Sequence, residues 1–233
     1  MLAELDFCSE HALSRASGSW RQEKVYCPSV FAEERSEVLH AAIRAHPLAT
    51  LVTHGAAGLT ANLVPFTLVE LEDGGACLRA HLARANPQVA ELRLGSEVLV
   101  IFQGPAAYVS PSWYPSKQEH GKVVPTWNYM VVQARGCAAV IDEADWLRRQ
   151  VDHLTRSQEQ DREQPWSLED APEAYLAGQL KGIVGVEIPV ERLEGKWKVS
   201  QNQPPANRSG VVAGMTADGH AAMAALVAGR EVT

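Results

Sequence analysis

The sequence predicts a mainly β fold, an antiparallel barrel of roughly six or seven strands with helices on its outside. Of its 233 residues, 46% are apolar and only 21% are charged, which is enough to build a buried core. Short apolar or alternating segments, separated by Gly, Pro and Asp turns, follow one another through the first 140 residues. Helical periodicity does not alternate with these segments, which argues against a parallel, doubly wound sheet.

The elements are predicted in this order along the first part of the chain. A helix spans about 33–45, where apolar residues recur on one face, and it ends before Pro47. Strands follow at 49–53, 59–64, 66–71 and 76–82. The pattern continues with a short helix at 87–95, strands at 98–104 and 106–110, a loop at 113–125, and one long strand or bent pair at 127–141.

The second part is predicted to be more helical. Helices are expected at 142–163, 171–180 and 217–229, with one strand at 181–195 and an unassigned segment around 207–215. Residues 1–24 carry no strand pattern and are expected to form a mobile extension. The predicted division is therefore an extension at 1–24, a main domain at 25–215 and a C-terminal helix at 216–233.

Charge and composition exclude several classes of protein. The 28 acidic and 21 basic residues give a formal net charge of −7, which argues against a protein that coats nucleic acid. The four cysteines fit no zinc or redox spacing, which is typical of a reducing compartment. The longest apolar run, 221–228, is too short to span a bilayer, and the N-terminus lacks a secretory pattern. We expect a cytoplasmic protein with no membrane partner.

The segment HLARANP at 81–87 is the first candidate site. A strand ends here and a helix begins, and Arg84 lies in the turn between them. Guanidinium matches phosphate oxygens well, and His81 can add a donor, so the turn suits a phosphomonoester. The alternative is a simple helix cap beside an exposed arginine.

Two further segments are candidates. The stretch 110–131 concentrates four aromatic residues with Asn128, which suits a flat heteroaromatic ligand or a subunit interface; the alternative is a small hydrophobic core under a long loop. The segment EGKWKVSQN at 194–202 is locally positive and could reach a phosphate or pair with the acidic helix. Its alternative is a solvated turn anchored by Trp197.

Several established motifs are absent from the sequence. It contains no phosphate-binding P-loop, no dinucleotide-binding glycine fingerprint and no nucleophile elbow. The histidines do not fall in a metal-ligating spacing, so no metal site is predicted.

A series of blocks strongly resembles the PaiB-like family, whose members are described as FMN-binding negative transcriptional regulators. The resemblance runs from about Tyr26 to Met215, with the blocks in the family's order. They are YCPSVF (26–31), HLARANPQ (81–88), FQGPAAYVSPSWYPSK (102–117), VPTWNY (124–129), PWSLEDAP (165–172), IVGVEI (183–188) and KWKVSQN (196–202).

The resemblance implies a split β-barrel of the flavin-reductase and pyridoxamine-phosphate-oxidase type. It further implies a homodimer with FMN in a cleft between the subunits. The cofactor-binding residues it implies form three groups: His81, Arg84 and Asn86 for the phosphate; Ala61, Asn62, Leu63, Val64 and Pro65 along the isoalloxazine ring; and Thr126, Trp127 and Asn128 from the partner subunit.

The chain departs from the family pattern at a few positions. Asn62 stands where the family often has His, Asn207 where Asp is usual, and Gln158 where His is usual. Val25 stands where the family tends to begin with Met, so the preceding 24 residues are expected to be a dispensable tail or an upstream translation artefact.

Two functions remain open from the sequence. The first is a flavin-binding regulator or sensor that acts as a homodimer without turnover; the alternative is an FMN-dependent oxidoreductase acting on flavin or a small molecule. Direct DNA binding is doubtful because of the net charge and the lack of a basic recognition helix, although four lysines could form a patch (Lys117, Lys122, Lys196 and Lys198). Haem in place of FMN is a minor option.

Overall fold

The computed structural model describes residues 25–72 and 74–229. The predicted extension at 1–24 lies outside the described residues. The strands are β1 (Ala32–Glu33), β2 (Leu48–Gly55), β3 (Gly58–Pro65), β4 (Thr67–Glu70), β5 (Ala76–Ala83), β6 (Glu97–Val109), β7 (Thr126–Cys137), β8 (Ala139–Ile141), β9 (Ile183–Pro189) and β10 (Arg192–Lys198). The helices are α1 (Ser36–Ala45), α2 (Gln88–Leu92), α3 (Ser116–His120), α4 (Ala144–Glu159), α5 (Glu173–Lys181), α6 (Pro205–Ala217) and α7 (Ala221–Gly229).

The chain divides into two compact units, each built from separate stretches of sequence. Among the described residues, unit 1 comprises 47–72, 74–100 and 134–192. Unit 2 comprises 25–46, 101–133 and 193–229. The predicted division at 25–215 and 216–233 stays a prediction.

Unit 1 contains an antiparallel sheet in the order β4-β5-β9-β8, together with the hairpin β2–β3, the start of β6 (97–100) and the end of β7 (134–137). One face of the pair β5–β9 is fully buried and aliphatic; Leu78 lies opposite Ile188, and Ala80 opposite Val186. Helix α4 covers the other face. The Trp146 ring lies so close to Gly185 that a Cβ atom there would be 2.3 Å from the ring, so this position requires glycine.

Unit 2 contains β1, nearly all of β10, and the larger parts of β7 (126–133) and β6 (101–109), together with the helices α1, α6 and α7. Leu39 of α1 packs directly on β10 at Gly195, where a Cβ atom would lie 2.3 Å from the leucine. The ring of Trp113, in a short 3₁₀ turn (Pro111–Trp113), packs in the same way against Gly214 of α6, and the Trp113 carbonyl lies against Gly210. Small residues therefore let large side chains approach the backbone closely.

The predicted strand-rich architecture is confirmed, with several boundaries corrected. The strands predicted at 98–104 and 106–110 form the single strand β6, because the fixed φ of Pro105 is compatible with extended backbone. The strand predicted at 181–195 is two strands, β9 and β10. Pro189 ends β9, since a proline cannot donate to the ladder.

Three helical assignments also change. The first helix begins at Ser36 rather than at 33, because Ala32 and Glu33 pair with β10. The predicted loop at 113–125 contains α3, which ends at the left-handed Gly121. The unassigned segment around 207–215 lies within α6, a helix whose start is favoured by Pro204 and Pro205.

No helix among the described residues has the length and apolar character needed to cross a bilayer. In that part of the chain, no group of three or more His, Cys, Asp or Glu residues is arranged to hold a metal ion.

Candidate functional site

Arg84 lies in the turn after β5, where its guanidinium is held by protein acceptors on every nitrogen. Its Nε donates to the Lys181 carbonyl at 3.1 Å and its Nη2 to the Ile183 carbonyl at 2.9 Å. Its Nη1 donates to Asp142 Oδ1 at 2.6 Å. The side chain is 44% exposed, so it is fixed in direction but reachable from solvent.

Asp142 accepts hydrogen bonds from two arginines. The Arg93 Nη2 donates to Oδ2 at 2.7 Å and to Oδ1 at 3.1 Å, so Oδ1 accepts from both arginines. The hydrogen bonds from Arg93 and then Arg84 lower the pKa of Asp142. The three side chains together carry one net positive charge, and we name them the Arg84–Asp142–Arg93 cluster.

Asn86 caps the short helix α2. Its Oδ1 accepts a hydrogen bond from the Gln88 backbone N–H at 3.0 Å. The cap interpretation of HLARANP therefore describes Asn86, while Arg84 is bound into an ion-pair cluster.

His81 lies on the face of β5 that is covered by α4. It is opposite Gly185 of β9, the residue against which the Trp146 ring packs. Its Nδ1 is buried and has no hydrogen-bond partner among the described residues, and burial lowers the pKa of the imidazole. In the described part of the chain, His81 shares no hydrogen-bond partner with Arg84. The predicted phosphate-binding role of His81 stays a prediction.

The predicted ring-contact residues Ala61, Asn62, Leu63, Val64 and Pro65 lie on β3, at the edge of the β6-β2-β3 strands. Only Asn62 carries a polar side chain among them, and its Nδ2 donates to Gln88 Oε1 at 3.0 Å. Gln88 is fully buried. Its Nε2 donates to the Leu51 carbonyl and to Thr53 Oγ1, both at 3.1 Å.

Glu91 provides a second link between α2 and the β2–β3 hairpin. Its carboxylate accepts hydrogen bonds from the hydroxyl groups of Thr53 and Thr60. The sequence analysis missed both Gln88 and Glu91, because polar residues on a short helix are usually exposed to solvent. The available signal was that Gln88 lies four residues before Leu92, on the buried side of α2.

The predicted partner-side residues Thr126, Trp127 and Asn128 begin β7 in unit 2. The Trp127 ring is 57% exposed and meets Tyr108 edge to face, with the centroids 6.0 Å apart. Asn128 is buried, and its Nδ2 donates to Ser200 Oγ at 2.8 Å. The Thr126 hydroxyl accepts a hydrogen bond from Lys198.

The aromatic stretch 110–131 thus separates into packed and exposed members. Trp113 is packed against α6 and Tyr114 is buried, as the small-core interpretation predicts. Trp127 is exposed, as expected of a ligand or subunit surface.

Two positions that depart from the family pattern lie outside these clusters. Asn207 is buried at the start of α6, and its Nδ2 donates to Ser116 Oγ at 3.0 Å and to Gln203 Oε1 at 3.1 Å. Gln158 is exposed near the end of α4.

Comparison with known proteins decides the family. The family described as "Putative FMN-binding domain" matches residues 25–192. The chain is 31% identical to the protease synthase and sporulation protein PAI 2 of Bacillus subtilis, over 81% of this chain and 87% of that protein. The chain belongs to the PaiB-like FMN-binding family. An uncharacterized protein of Emericella nidulans is 35% identical, over 82% of this chain and 90% of its own length.

Solved structures agree on the fold at low sequence identity. A conserved hypothetical protein of Mycobacterium tuberculosis superposes with a TM-score of 0.54 and 14% identity, covering 77% of this chain and 94% of that one. The FAD and heme binding protein of Mycobacterium smegmatis superposes with a TM-score of 0.51 and 17% identity, covering 72% of this chain and 73% of that one. The predicted split-barrel, flavin-binding fold class is confirmed, and FMN is the cofactor of this PaiB-like family.

The residues of the Arg84–Asp142–Arg93 cluster fit a phosphate group by their remaining donors. A guanidinium carries five N–H groups, and Arg84 uses three of them on protein acceptors. Arg93 uses only its Nη2 on Asp142, so its Nε and Nη1 have no acceptor among the described residues. The cluster therefore combines a net positive charge with donors that remain available.

Replacing His81 is expected to flatten the dependence of stability on pH. Because burial lowers the pKa of His81 below 6.5, the unfolded chain binds this proton first as the pH falls. The free energy of unfolding should therefore fall between about pH 7.5 and about pH 5.5. Chemical denaturation across this range should give a shallower slope for His81→Leu.

His153→Gln replaces an exposed histidine of α4 and is the comparison variant measured alongside. A His81→Leu slope equal to that of the wild type would show that the buried imidazole does not titrate against folding.

Proposed function

We propose that this protein is a cytoplasmic, flavin-dependent sensor that acts in negative transcriptional regulation, and that it binds FMN as a homodimer. Membership of the PaiB-like family and the similarity to the Bacillus subtilis sporulation protein support this proposal. Direct contact with DNA is not part of it, because the net charge of −7 opposes binding to a polyanion.

The chemical character of β3 is the observation that carries the proposal. None of the five residues proposed to lie along the flavin ring, 61–65, has a titratable side chain. The one polar side chain, the Asn62 amide, does not titrate, and it donates one of its N–H groups to the buried Gln88. Bound FMN would supply redox chemistry, and this strand would hold the ring without offering it a proton.

The Arg84–Asp142–Arg93 cluster is the proposed holder of the FMN phosphate. Asp142 fixes the direction of both guanidinium groups, so little side-chain entropy is lost when a phosphate binds. The remaining N–H groups of Arg84 and Arg93 would donate to the phosphate oxygens. Asn86 would support this site indirectly, by capping α2. His81 would support it by packing beneath α4.

Arg84→Ala should weaken FMN binding by about 1.5–3 kcal/mol, the usual contribution of hydrogen bonds to a charged group. Fluorescence titration of FMN would measure the loss. Riboflavin, which lacks the phosphate, should bind the variant and the wild type equally well.

Arg148→Ala is the matched control, because Arg148 forms an exposed ion pair with Glu173 instead of Asp142. Equal FMN affinity in Arg84→Ala and the wild type would contradict the phosphate assignment.

An exposed apolar face on the β2–β3 hairpin supports the homodimer. Leu59 and Leu63 of β3 are 77% and 68% exposed, and Leu48 of β2 lies on the same face. Contiguous exposed apolar side chains on an edge hairpin are typical of an interaction surface. A second copy is the proposed occupant, and its Thr126, Trp127 and Asn128 would complete the ring site.

Leu63→Asp should convert the dimer into a monomer, since a charge at this interface would have to be desolvated without a partner. Light scattering coupled to gel filtration would measure the mass. Leu94→Asp is the control, because Leu94 is 67% exposed outside the hairpin. A Leu63→Asp protein that keeps the mass of a dimer would contradict this interface.

The regulatory role and the oxidoreductase alternative predict different results. Deleting the gene should raise the level of the repressed transcripts, and wild-type protein but not Arg84→Ala should restore repression. The FMN-loaded protein should oxidise NADPH in air no faster than free FMN. NADPH oxidation that depends on Arg84 together with unchanged transcripts would favour the oxidoreductase.

A further inference from the structure

A small cavity in unit 2 lies around the segment KWKVSQN (196–202), whose residues are not part of the proposed FMN site. Its volume is about 180 Å³. The residues that line it are Tyr114, Val124, Thr126, Asn128, Lys198, Ser200, Asn202 and Gln203. Lys198 is the one charged residue in this lining, so the cavity is positive.

Lys198 is held in a fixed position and still has a donor to spare. Its ammonium donates to the Thr126 hydroxyl and, at 2.7 Å, to the Trp127 carbonyl. An ammonium has three N–H groups, so the third has no acceptor among the described residues. No carboxylate of the described residues forms an ion pair with it. Burial, with Lys196 close by, lowers the pKa of Lys198, and a bound anion would counter both effects.

Ser200 adopts a backbone conformation that costs energy and directs its side chain into the same cluster. Its φ is +62°, the one left-handed non-glycine residue among those described. Its hydroxyl is buried and exchanges hydrogen bonds with the Asn128 amide at 2.8 and 3.3 Å. Gln201 secures the turn, because its Oε1 accepts from the Val199 N–H at 2.7 Å. Strain maintained by surrounding bonds is typical of binding sites.

Two neutral donors accompany the ammonium. The Tyr114 ring is buried, and its hydroxyl has no hydrogen-bond partner among the described residues; burial raises the pKa of this phenol, so it stays a donor. The Asn128 amide uses one N–H on Ser200 and keeps the other. One cation and two neutral donors, with no acidic side chain in the lining, match the needs of an oxyanion.

We propose that the cavity at Lys198, Tyr114, Asn128 and Ser200 binds the oxyanion of a small molecule, a phosphate or a carboxylate. The ammonium supplies the charge, and the phenol and amide supply directed hydrogen bonds. The proposal does not depend on the Arg84 phosphate assignment.

Inorganic phosphate is the probe, titrated into the full chain in a zwitterionic buffer and followed by calorimetry. Lys198→Met keeps the aliphatic stem and removes the charge, and it should weaken phosphate binding about 10- to 100-fold. Lys196→Met is the matched control. Lys196 lies near the Tyr26 and Tyr129 rings and does not line the cavity, so its removal should change the affinity less than about 3-fold.

Tyr114→Phe is the second variant, because it keeps the buried ring and removes only the hydroxyl. It should weaken phosphate binding about 3- to 10-fold while leaving the melting temperature close to that of the wild type. If Lys198→Met fails to fold, Tyr114→Phe still tests the proposal. The proposal is overturned if the wild type does not bind phosphate, or if both folded variants bind it as tightly as the wild type.

The oxyanion can come from FMN itself or from a separate molecule, and two further titrations separate these sources. If it is the FMN phosphate, Lys198→Met weakens FMN binding, leaves riboflavin binding unchanged, and phosphate competes with FMN. If it belongs to a separate molecule, phosphate binds the FMN-loaded protein and Lys198→Met leaves FMN affinity unchanged. If the oxyanion belongs to a separate molecule, Arg84→Ala changes neither the binding of phosphate nor its weakening in Lys198→Met. A failure of the Arg84 assignment can therefore be told apart from a failure of this proposal.

Discussion

The buried amide of Gln88 is the interaction on which the candidate FMN site depends. Helix α2 has only five residues, too few to be stable by its own backbone hydrogen bonds. Gln88 joins it to β2 through the Leu51 carbonyl and Thr53, and to β3 through Asn62. Removing one partner of a buried amide leaves the other groups unsatisfied, which costs about 1–3 kcal/mol for each.

By fixing α2, Gln88 also fixes the residues on both sides of that helix. Arg84 and Asn86 precede the helix and Arg93 follows it directly, so their positions are set by where α2 is held. Glu91 adds a second attachment to the same hairpin through two threonine hydroxyls. Both the strand proposed to lie along the ring and the turn before α2 are therefore attached to Gln88, the strand through Asn62 and the turn through Asn86.

Much of the fold could be predicted from the sequence, and the limits have physical reasons. Alternating and apolar runs placed β2, β3 and β5 to within two residues, because period-two burial is a local signal. The break between β9 and β10 was missed, since a proline ends one strand and the next begins only three residues later. Helix α6 was missed because its alanines and glycines give little periodicity, and the glycines are needed for Trp113 to pack.

In the candidate sites, the contacts that could not be predicted join residues far apart in the sequence. Arg84 could be found because a cation between a strand and a helix is visible locally. The acceptors of Lys198 could not, since Thr126 and Trp127 lie 72 and 71 residues earlier in the chain. The left-handed backbone of Ser200 is equally hidden, because serine gives no sign of a conformation that surrounding hydrogen bonds impose.

The interleaving of the two units in the sequence has a consequence for how this protein can be divided or inherited. The chain leaves one unit and enters the other at residues 46–47, 100–101, 133–134 and 192–193. Three of those passages fall inside single strands, β6, β7 and β10. Neither unit corresponds to one continuous stretch, so no continuous fragment can contain the whole of one unit without part of the other. A deletion, fusion or duplication that carries one complete unit therefore carries a piece of the second as well.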